Sequence, residues 1–308
     1  MTLPIQKYPA VAVCLAAFNG IRYLPQQVDS ILNQQGVDIT LFVSVDRSID
    51  GTEQWFSDLH VKDERVVPLS FGESFGGAAQ NFFRLLRDID FAGYDFVAYA
   101  DQDDIWLPGK LKRAVDRLVQ TGSDGYSSDI VAFWESGRSS YIKKSYEQRK
   151  WDYLFESAGP GCTFVISQKL ALDIQSALNK NRQASMEVGL HDWFTYAFAR
   201  AHGYGWVIDD YASLMYRQHD TNQVGVNSGW AAFVWRARRV LSGWGLSQSR
   251  LIASLAGQDK HPFVCRWSGG GRWGLLALAC AALHCRRKPL DRVWFAASCL
   301  TLAVIGWK

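Results

Sequence analysis

Apolar runs of strand length alternate along the first part of the chain with stretches whose apolar residues recur at helical spacing. Ala10–Ala16 is a continuous apolar run, and Leu24, Val28, Ile31 and Leu32 then repeat every three to four residues. Ile39–Val45 predicts a second strand ending at Asp46. Ser48–Thr52 supplies caps for a helix through Trp55, Phe56 and Leu59. Arg65–Leu69 predicts a third strand, and Phe75-Gly76-Gly77 opens a helix faced by Phe82, Leu85, Leu86 and Ile89. Asp95–Ala100 predicts a fourth strand, and beyond Pro108 a helix carries Leu111, Ala114, Val115 and Leu118. This alternation predicts an α/β fold with a mostly parallel, Rossmann-like sheet flanked by helices. Ligands of such sheets bind beyond the carboxyl ends of the strands.

After Leu118 the pattern weakens. Gly122–Ser140 is rich in Gly and Ser around a short apolar piece, Ile130–Trp134, and Tyr141–Asp152 is polar; a loop or short helix over the site is expected. Ala158–Cys162 reads as a turn into a strand at Thr163–Ile166, with a helix through Leu170 and Ile174 after it. His191-Asp192-Trp193 begins a helix whose face is Phe194, Ala197, Phe198 and Ala201, closed by Gly203. Trp206–Ile208 and Ser213–Tyr216 predict strands, the latter leading directly into Arg217-Gln218-His219.

Three carboxylates in four residues, Asp101, Asp103 and Asp104, stand where the fourth strand ends. Like charges so close are tolerated at a partly buried strand end when a cation compensates them, which suggests a divalent metal holding a phosphate. A solvated turn capping the next helix is the alternative. Asn19 and Asp46 follow two other strands, so all three positions fall at one edge of the sheet.

Charge divides the chain. From Trp230 to Lys308 there are 12 Lys/Arg against 2 acidic residues, and 7 of the 13 tryptophans. The preceding 229 residues carry a net −7, so the overall +3 conceals two electrostatic characters. In the tail, Trp230–Leu241 has an apolar and an arginine-rich side, and the apolar runs Trp273–Cys285 and Val293–Trp307 fall short of the roughly 18–20 residues needed to span a bilayer. Helices lying on an anionic membrane surface are expected, with core or partner-docking helices and a spanning hairpin as alternatives. The 48% hydrophobic, 20% charged composition is that of a folded chain. Nucleic acid is not expected as a partner. Six cysteines without CxxC pairs read as reduced structural thiols. Pro4 and Pro9 interrupt Met1–Ala10, so no signal peptide is expected and the chain should stay in the cytoplasm.

Several stretches together resemble the inverting family 2 glycosyltransferases of GT-A fold, and within them a bacterial rhamnosyltransferase-like subgroup. They are Ala17–Gly20 with Leu24 and Gln27, Ser44–Thr52, Gly77–Leu86, Ala100–Trp106, Gly161-Cys162-Thr163, His191-Asp192-Trp193 and Tyr216–Gln223. Residues from about Val11 to Val226 are covered, and the seven occur in the family's order. The resemblance implies a GT-A catalytic domain over 1–228, with a nucleotide-binding half to about 120 and an acceptor half beyond it, followed by a basic, Trp-rich helical tail over 229–308. It implies Asp192 as catalytic base, taking a proton from the acceptor hydroxyl. Nucleotide-sugar contacts fall on Ala17, Asn19, Asp46, Gly77, Asn81, Asp101, Gln102 and Arg217. Acceptor contacts fall on Trp106, Cys162, His191 and Trp193, and a divalent metal, Mg²⁺ or Mn²⁺, on Asp101, Asp103 and His219. The implied donor is a nucleotide-diphosphate sugar such as dTDP-L-rhamnose. The implied acceptor is a lipid-linked or lipopolysaccharide-type glycan at the inner face of the cytoplasmic membrane.

The chain departs from the family at Val45-Asp46-Arg47-Ser48, where only the second of two consecutive aspartates is kept. Local roles stay open for several residues: a turn for Asp46, a backbone-satisfying amide for Asn81, helix caps for Asp104 and Asp192, and a structural imidazole for His219. A nucleotidyltransferase would carry a Gly-rich basic loop after the first strand, whereas Ala16–Ile21 has one glycine and no lysine. A haloacid-type phosphatase would carry a nucleophilic Asp where this chain has Asn19. A non-catalytic membrane adaptor on the same fold is the remaining alternative.

Overall fold

The computed structural model describes residues 8–219 and 242–306 of the chain. Its first half runs β1 (Ala10–Ala17), α1 (Leu24–Leu32), β2 (Asp38–Val45), α2 (Thr52–Lys62), β3 (Val66–Pro68), α3 (Ala78–Asp88), β4 (Phe96–Ala100), β5 (Ile105–Trp106) and α4 (Lys110–Thr121). The second half continues with β6 (Gly125–Ser128), β7 (Ile130–Trp134), β8 (Ser139–Ile142), β9 (Val165–Ser167), α5 (Gln168–Lys180), α6 (Arg182–Ser185), α7 (His191–Ala201), β10 (Trp206–Asp209) and β11 (Leu214–Gln218).

The larger sheet has the order β10-β6-β9-β4-β1-β2-β3. β1 lies parallel to β2 and β4 at its centre, and β9 runs antiparallel between β4 and β6. A central strand buried on both faces needs apolar residues without alternation, and β1 has them. Val11, Val13, Leu15 and Ala17 pack with α1 and α4, whereas Ala12, Cys14 and Ala16 pack with α3, α5 and α7.

The Gly/Ser-rich segment expected to be a loop is instead strands β6, β7 and β8. Small residues are required there because a large one fills their face. A Cβ on Gly125 would lie 2.0 Å from the Trp206 ring, whose Nε1 donates to Ser127 Oγ at 3.1 Å. The following polar stretch is not a helix over the site either. Buried Asp129 accepts the backbone amides of Lys144 and Ser145 and the Tyr141 hydroxyl, and a single 3₁₀ turn follows at Asp152–Leu154.

The tail residues described form α8 (Trp244–Leu255), α9 (Pro262–Ser268), α10 (Arg272–Cys280), α11 (Ala282–Cys285) and α12 (Pro289–Ile305). Among the described residues no helix is long and apolar enough to cross a membrane. Ile252, Trp267, Leu278 and Leu302 are buried in the same core as Phe194 and Phe198 of α7, so the inner faces of these helices complete the packing around α7. Each such side chain contributes roughly 1.5–3 kcal/mol by burial. The helix expected at Trp230–Leu241 lies outside the described residues. All six cysteines are free thiols.

Candidate active site

A second, four-stranded sheet assembles the site. β11 pairs antiparallel with β5, Leu214 opposite Trp106 and Met215 opposite Ile105, and parallel with β7. Continuing past that register, the chain carries Arg217 and His219 beside the acidic residues that end β4. His219 Nε2 lies 2.7 Å from Asp103 Oδ2, and its ring stacks on Tyr23 with centroids 5.0 Å apart. Arg217 Nε donates to the Asp103 carbonyl at 2.7 Å, its Nη2 to Gln26 Oε1 at 2.6 Å, and its backbone amide to Asp104 Oδ1 at 3.2 Å. The guanidinium also lies between the rings of Tyr23 and Phe133. Arg217 and Gln218 belong to β11 itself rather than to the loop after it.

Crowding sets the electrostatics. Burial and the charges of Asp103 and Asp192 push the Asp101 carboxyl up to about 7. Burial, Asp103 and Asp101 push Asp104 well above the usual carboxylate range. The Asp104 Oδ2 atom is buried with no hydrogen-bond partner. Ligand atoms of Asp101, Asp104 and Cys162 lie within 4.8 Å of one another. Such an excess of buried acceptors fits a divalent cation, whose charge would release the protons the carboxylates otherwise retain. Asp104 and Cys162 are fully buried, whereas Asp101 keeps partial exposure. Asp101 and the Asp103–His219 pair keep the exposure that a cation shared with a phosphate requires, whereas the close set of ligand atoms among the described residues is Asp101, Asp104 and Cys162.

Asp192 lies at the start of α7, where its Oδ1 accepts the Trp193 amide at 2.8 Å. Burial pushes its carboxyl up to about 6, against opposing contributions from that bond, Ser157 and Lys144. His191 stacks on Phe82 at 3.8 Å between centroids, its Nε2 unpartnered, and burial pushes it down to about 3, so the imidazole is neutral near pH 7. The Gly161-Cys162 turn threads between the two carboxylate groups. A Cβ on Gly161 would lie 2.6 Å from His191 Nε2 and 3.3 Å from the Asp192 Cβ, so only glycine fits without displacing these two residues.

The contacts expected of Trp106 and Cys162 with an acceptor are not available to their side chains, which are 2% and 0% exposed and belong to the core beneath the edge. Trp193 is likewise buried, and its Nε1 holds the Tyr153 carbonyl at 3.0 Å. On the nucleotide side, Asn19 has φ 45° and ties two loops together: its amide donates to Ser48 Oγ and its Oδ1 accepts from the Ile49 amide, both at 2.9 Å. Asp46 accepts the amides of Phe75 and Gly76 at 3.0 and 3.2 Å, and Arg47 binds the Gly72 carbonyl, so the departure from the family pattern holds the loop before Gly77. Asn81 Nδ2 bridges the carbonyls of Ala17 and Ser44 at 3.2 and 3.1 Å, leaving its buried Oδ1 unpartnered. Gln102 exchanges two hydrogen bonds with the Phe18 backbone.

Sequence reasoning passed over Tyr23, Gln26, Lys110, Lys144 and Ser157. Lys110 is 1% exposed, with its ammonium 3.7 Å from the centre of the Trp106 ring, and burial pushes it down to about 7. Its signal was present: Lys110 precedes Ala114 and Leu118 by four and eight residues, on the apolar stripe of α4. Tyr23, Lys144 and Ser157 carry no such signal because each meets the site from a loop or turn, and Gln26 lies off the apolar stripe of α1. Two cavities, of about 530 and 470 Å³, lie elsewhere, one at the opposite ends of β1 and β4 around Pro9 and Asp95, the other around Phe75, Arg87 and Arg182.

A doubly wound sheet whose carboxyl edge gathers a carboxylate–imidazole pair and a separate buried carboxylate defines a sugar transferase of the GT-A class. The chain belongs to Glycosyl transferase family 2, whose model matches residues 12–177. It is 37% identical over 91% of its length, and 96% of the relative's, to the dTDP-rhamnosyl transferase RfbG of Shigella flexneri. It is 24% identical to the Escherichia coli UDP-Glc:alpha-D-GlcNAc-diphosphoundecaprenol beta-1,3-glucosyltransferase WfgD, over 53% of this chain and 62% of that one. The fold is similar to that of S. aureus TarS 1-349 in complex with UDP-GlcNAc (TM-score 0.53, 13% identity, 96% of this chain and 89% of that one). It is also similar to the mannosyltransferase PcManGT from Pyrobaculum calidifontis in complex with GDP-Man and Mn²⁺ (TM-score 0.52, 15% identity, 97% and 88%).

Proposed function

We propose that this glycosyltransferase moves L-rhamnose from dTDP-L-rhamnose, with inversion, to a hydroxyl of a growing lipid-linked glycan of the lipopolysaccharide O-antigen type. The observation that carries the chemistry is the meeting of the Asp103–His219 pair with Asp101 and Asp192 around the Gly161-Cys162 turn. The choice of donor rests on the similarity to RfbG. Asp101, Asp103 and His219 would hold a divalent cation, Mg²⁺ or Mn²⁺, which would neutralise the diphosphate leaving group. Asp192 takes the proton of the acceptor hydroxyl as that oxygen attacks the anomeric carbon, and neutral His191 with the Gly161 turn keeps the carboxylate in place. Arg217 holds the backbone of the acidic segment and sets Asp103 toward the leaving group.

A thermal-shift panel of nucleotide sugars with Mn²⁺ tests the donor. Binding at 100 times Kd stabilises by about 2.7 kcal/mol, and each kcal/mol raises Tm by roughly 2–4 °C for domains approaching this size. The largest shift is expected from dTDP-L-rhamnose. A larger one from a UDP-sugar reassigns the donor, and none from any donor leaves the adaptor reading.

The enzyme is proposed to work in the cytoplasm, at the inner face of the membrane. α12 is apolar on two faces: Cys299, Leu302 and Ala303 are buried, whereas Leu290, Val293, Trp294, Val304 and Ile305 face outward. Trp273 is 84% exposed, and Arg266, Arg272 and Lys288 are exposed on the same tail. A bare apolar face with exposed cations on the same tail suits an anionic lipid surface. Replacing Trp294 and Val304 by Glu should lower binding to phosphatidylglycerol vesicles by more than about tenfold, since each inserted side chain contributes roughly 1.5–3 kcal/mol. Unchanged co-sedimentation would remove this face as the docking surface.

A further inference from the structure

The tail reaches the acceptor side of the active site through two arginines. Arg287, between α11 and α12, is 4% exposed. Its Nη2 donates to the Ser157 carbonyl, its backbone amide donates to Glu156 Oε1 at 2.6 Å, and its guanidinium lies 3.8 Å from Asp152 Oδ2 and 3.7 Å from Glu156 Oε2. Arg286 Nη1 donates to the Phe155 carbonyl at 2.9 Å. Arg292 of α12 donates to the carbonyls of both arginines, fixing the backbone that presents them.

On its other side the 152–157 segment is held by the helix that begins with the base. Tyr196 and Arg200 of α7 bind the fully buried Asp152 carboxylate at 3.0 and 3.3 Å, and Trp193 binds the Tyr153 carbonyl. The segment ends at Ser157, whose hydroxyl donates to the Gly159 carbonyl at 2.9 Å, within the turn that leads to Gly161. Two residues beyond Gly159, Gly161 packs against His191 and Asp192, so the position of the Ser157 backbone decides where this turn stands relative to the proposed base. That backbone is what Arg287 grips.

We propose that Arg287 is a positioning residue for catalysis: by holding the Ser157 carbonyl it fixes the 157–161 turn, whose Gly161 packs against His191 and Asp192, which makes the C-terminal segment part of the acceptor-side machinery. The inference rests on Asp192 as the base. A planar guanidinium suits the task because it reaches a carbonyl and two carboxylates at once, which an ammonium does not. It also couples the face proposed to meet lipid to the chemistry, since α12 carries that face and begins two residues after Arg287.

The test uses the full chain with dTDP-L-rhamnose and Mn²⁺, reading turnover as dTDP release and counting competent molecules by calorimetric dTDP binding. Arg287→Ala should lower kcat per dTDP-binding molecule by roughly 10- to 100-fold, the loss that about 1 Å of misplacement produces, with the dTDP affinity unchanged. Arg287→Lys should recover part of it. Ser157→Ala should lower kcat in the same way, and the double variant should lose little more than Arg287→Ala alone, because both act through one turn. A purely structural role would instead lower the number of binding-competent molecules and leave kcat per molecule at the wild-type value, which overturns the proposal. Additive losses in the double variant overturn it too. If Arg287→Ala does not fold, Ser157→Ala decides, and wild-type turnover there refutes it. Retained turnover in Asp192→Asn would sink the base assignment on which the inference stands.

Discussion

Replacing Asp192 by Asn is expected to lower turnover about 10²- to 10⁴-fold, the range that a positioned general base supplies, while dTDP binding stays within about twofold. Asn has the same shape and its Oδ1 still accepts the Trp193 amide, so the start of α7 is preserved. What disappears is the carboxylate proposed to take the proton. The wild-type enzyme should also lose kcat/KM as pH falls below about 6, because burial raises the carboxyl to that value and only the ionised form is a base. The same shift predicts a stability effect of definite sign. A carboxyl raised from 3.8 to about 6 in the folded state holds its proton more tightly folded than unfolded, so its contribution declines as pH rises through that window. At pH 7 the Asn variant should therefore melt no lower than the wild type. Wild-type turnover in Asp192→Asn would remove Asp192 from the mechanism.

Asp103→Asn is expected to weaken Mn²⁺-dependent dTDP binding by roughly 10- to 100-fold, as loss of one charge-assisted contact worth about 1.5–3 kcal/mol implies. The carboxylate faces His219 at 2.7 Å, and an amide supplies neither the charge for a cation nor the same partner for the imidazole. Fold should be little affected, because Arg217 binds the Asp103 backbone carbonyl and not its side chain. Calorimetric titration of dTDP with and without EDTA reads the result. Equal affinity for both proteins in Mn²⁺ would exclude Asp103 as a ligand.

Much of this site was legible in the chain. The strands of the first half follow from uninterrupted apolar runs, and a carboxylate that follows such a run stands at the carboxyl edge of a parallel sheet whatever the rest of the fold does. Asn19, Asp46 and Asp101–Asp104 were placed together on that ground alone. Asp192 was placed at the first turn of a helix by the pattern of Phe194, Ala197, Phe198 and Ala201, and it lies there. The second half was less legible because its strands are short and built of small residues. Gly125, Ser127 and Ser128 have the composition of a loop, and only the Trp206 ring lying over them explains why they form a buried strand.

The sequence by itself therefore determined the alternation of elements, the edge at which the candidate site residues gather and the division of charge between the first 229 residues and the rest. All three depend on periodicity and composition, which act over a few residues at a time. Only the tertiary structure decided which side chains meet: Asp103 with His219, 116 positions away, Arg287 with Ser157, 130 away, and Trp106 and Cys162 withdrawn into the core. Those pairings depend on the β5–β11 register and on the packing of the tail helices against α7, and a one-residue slip in either would bring different side chains to the same edge.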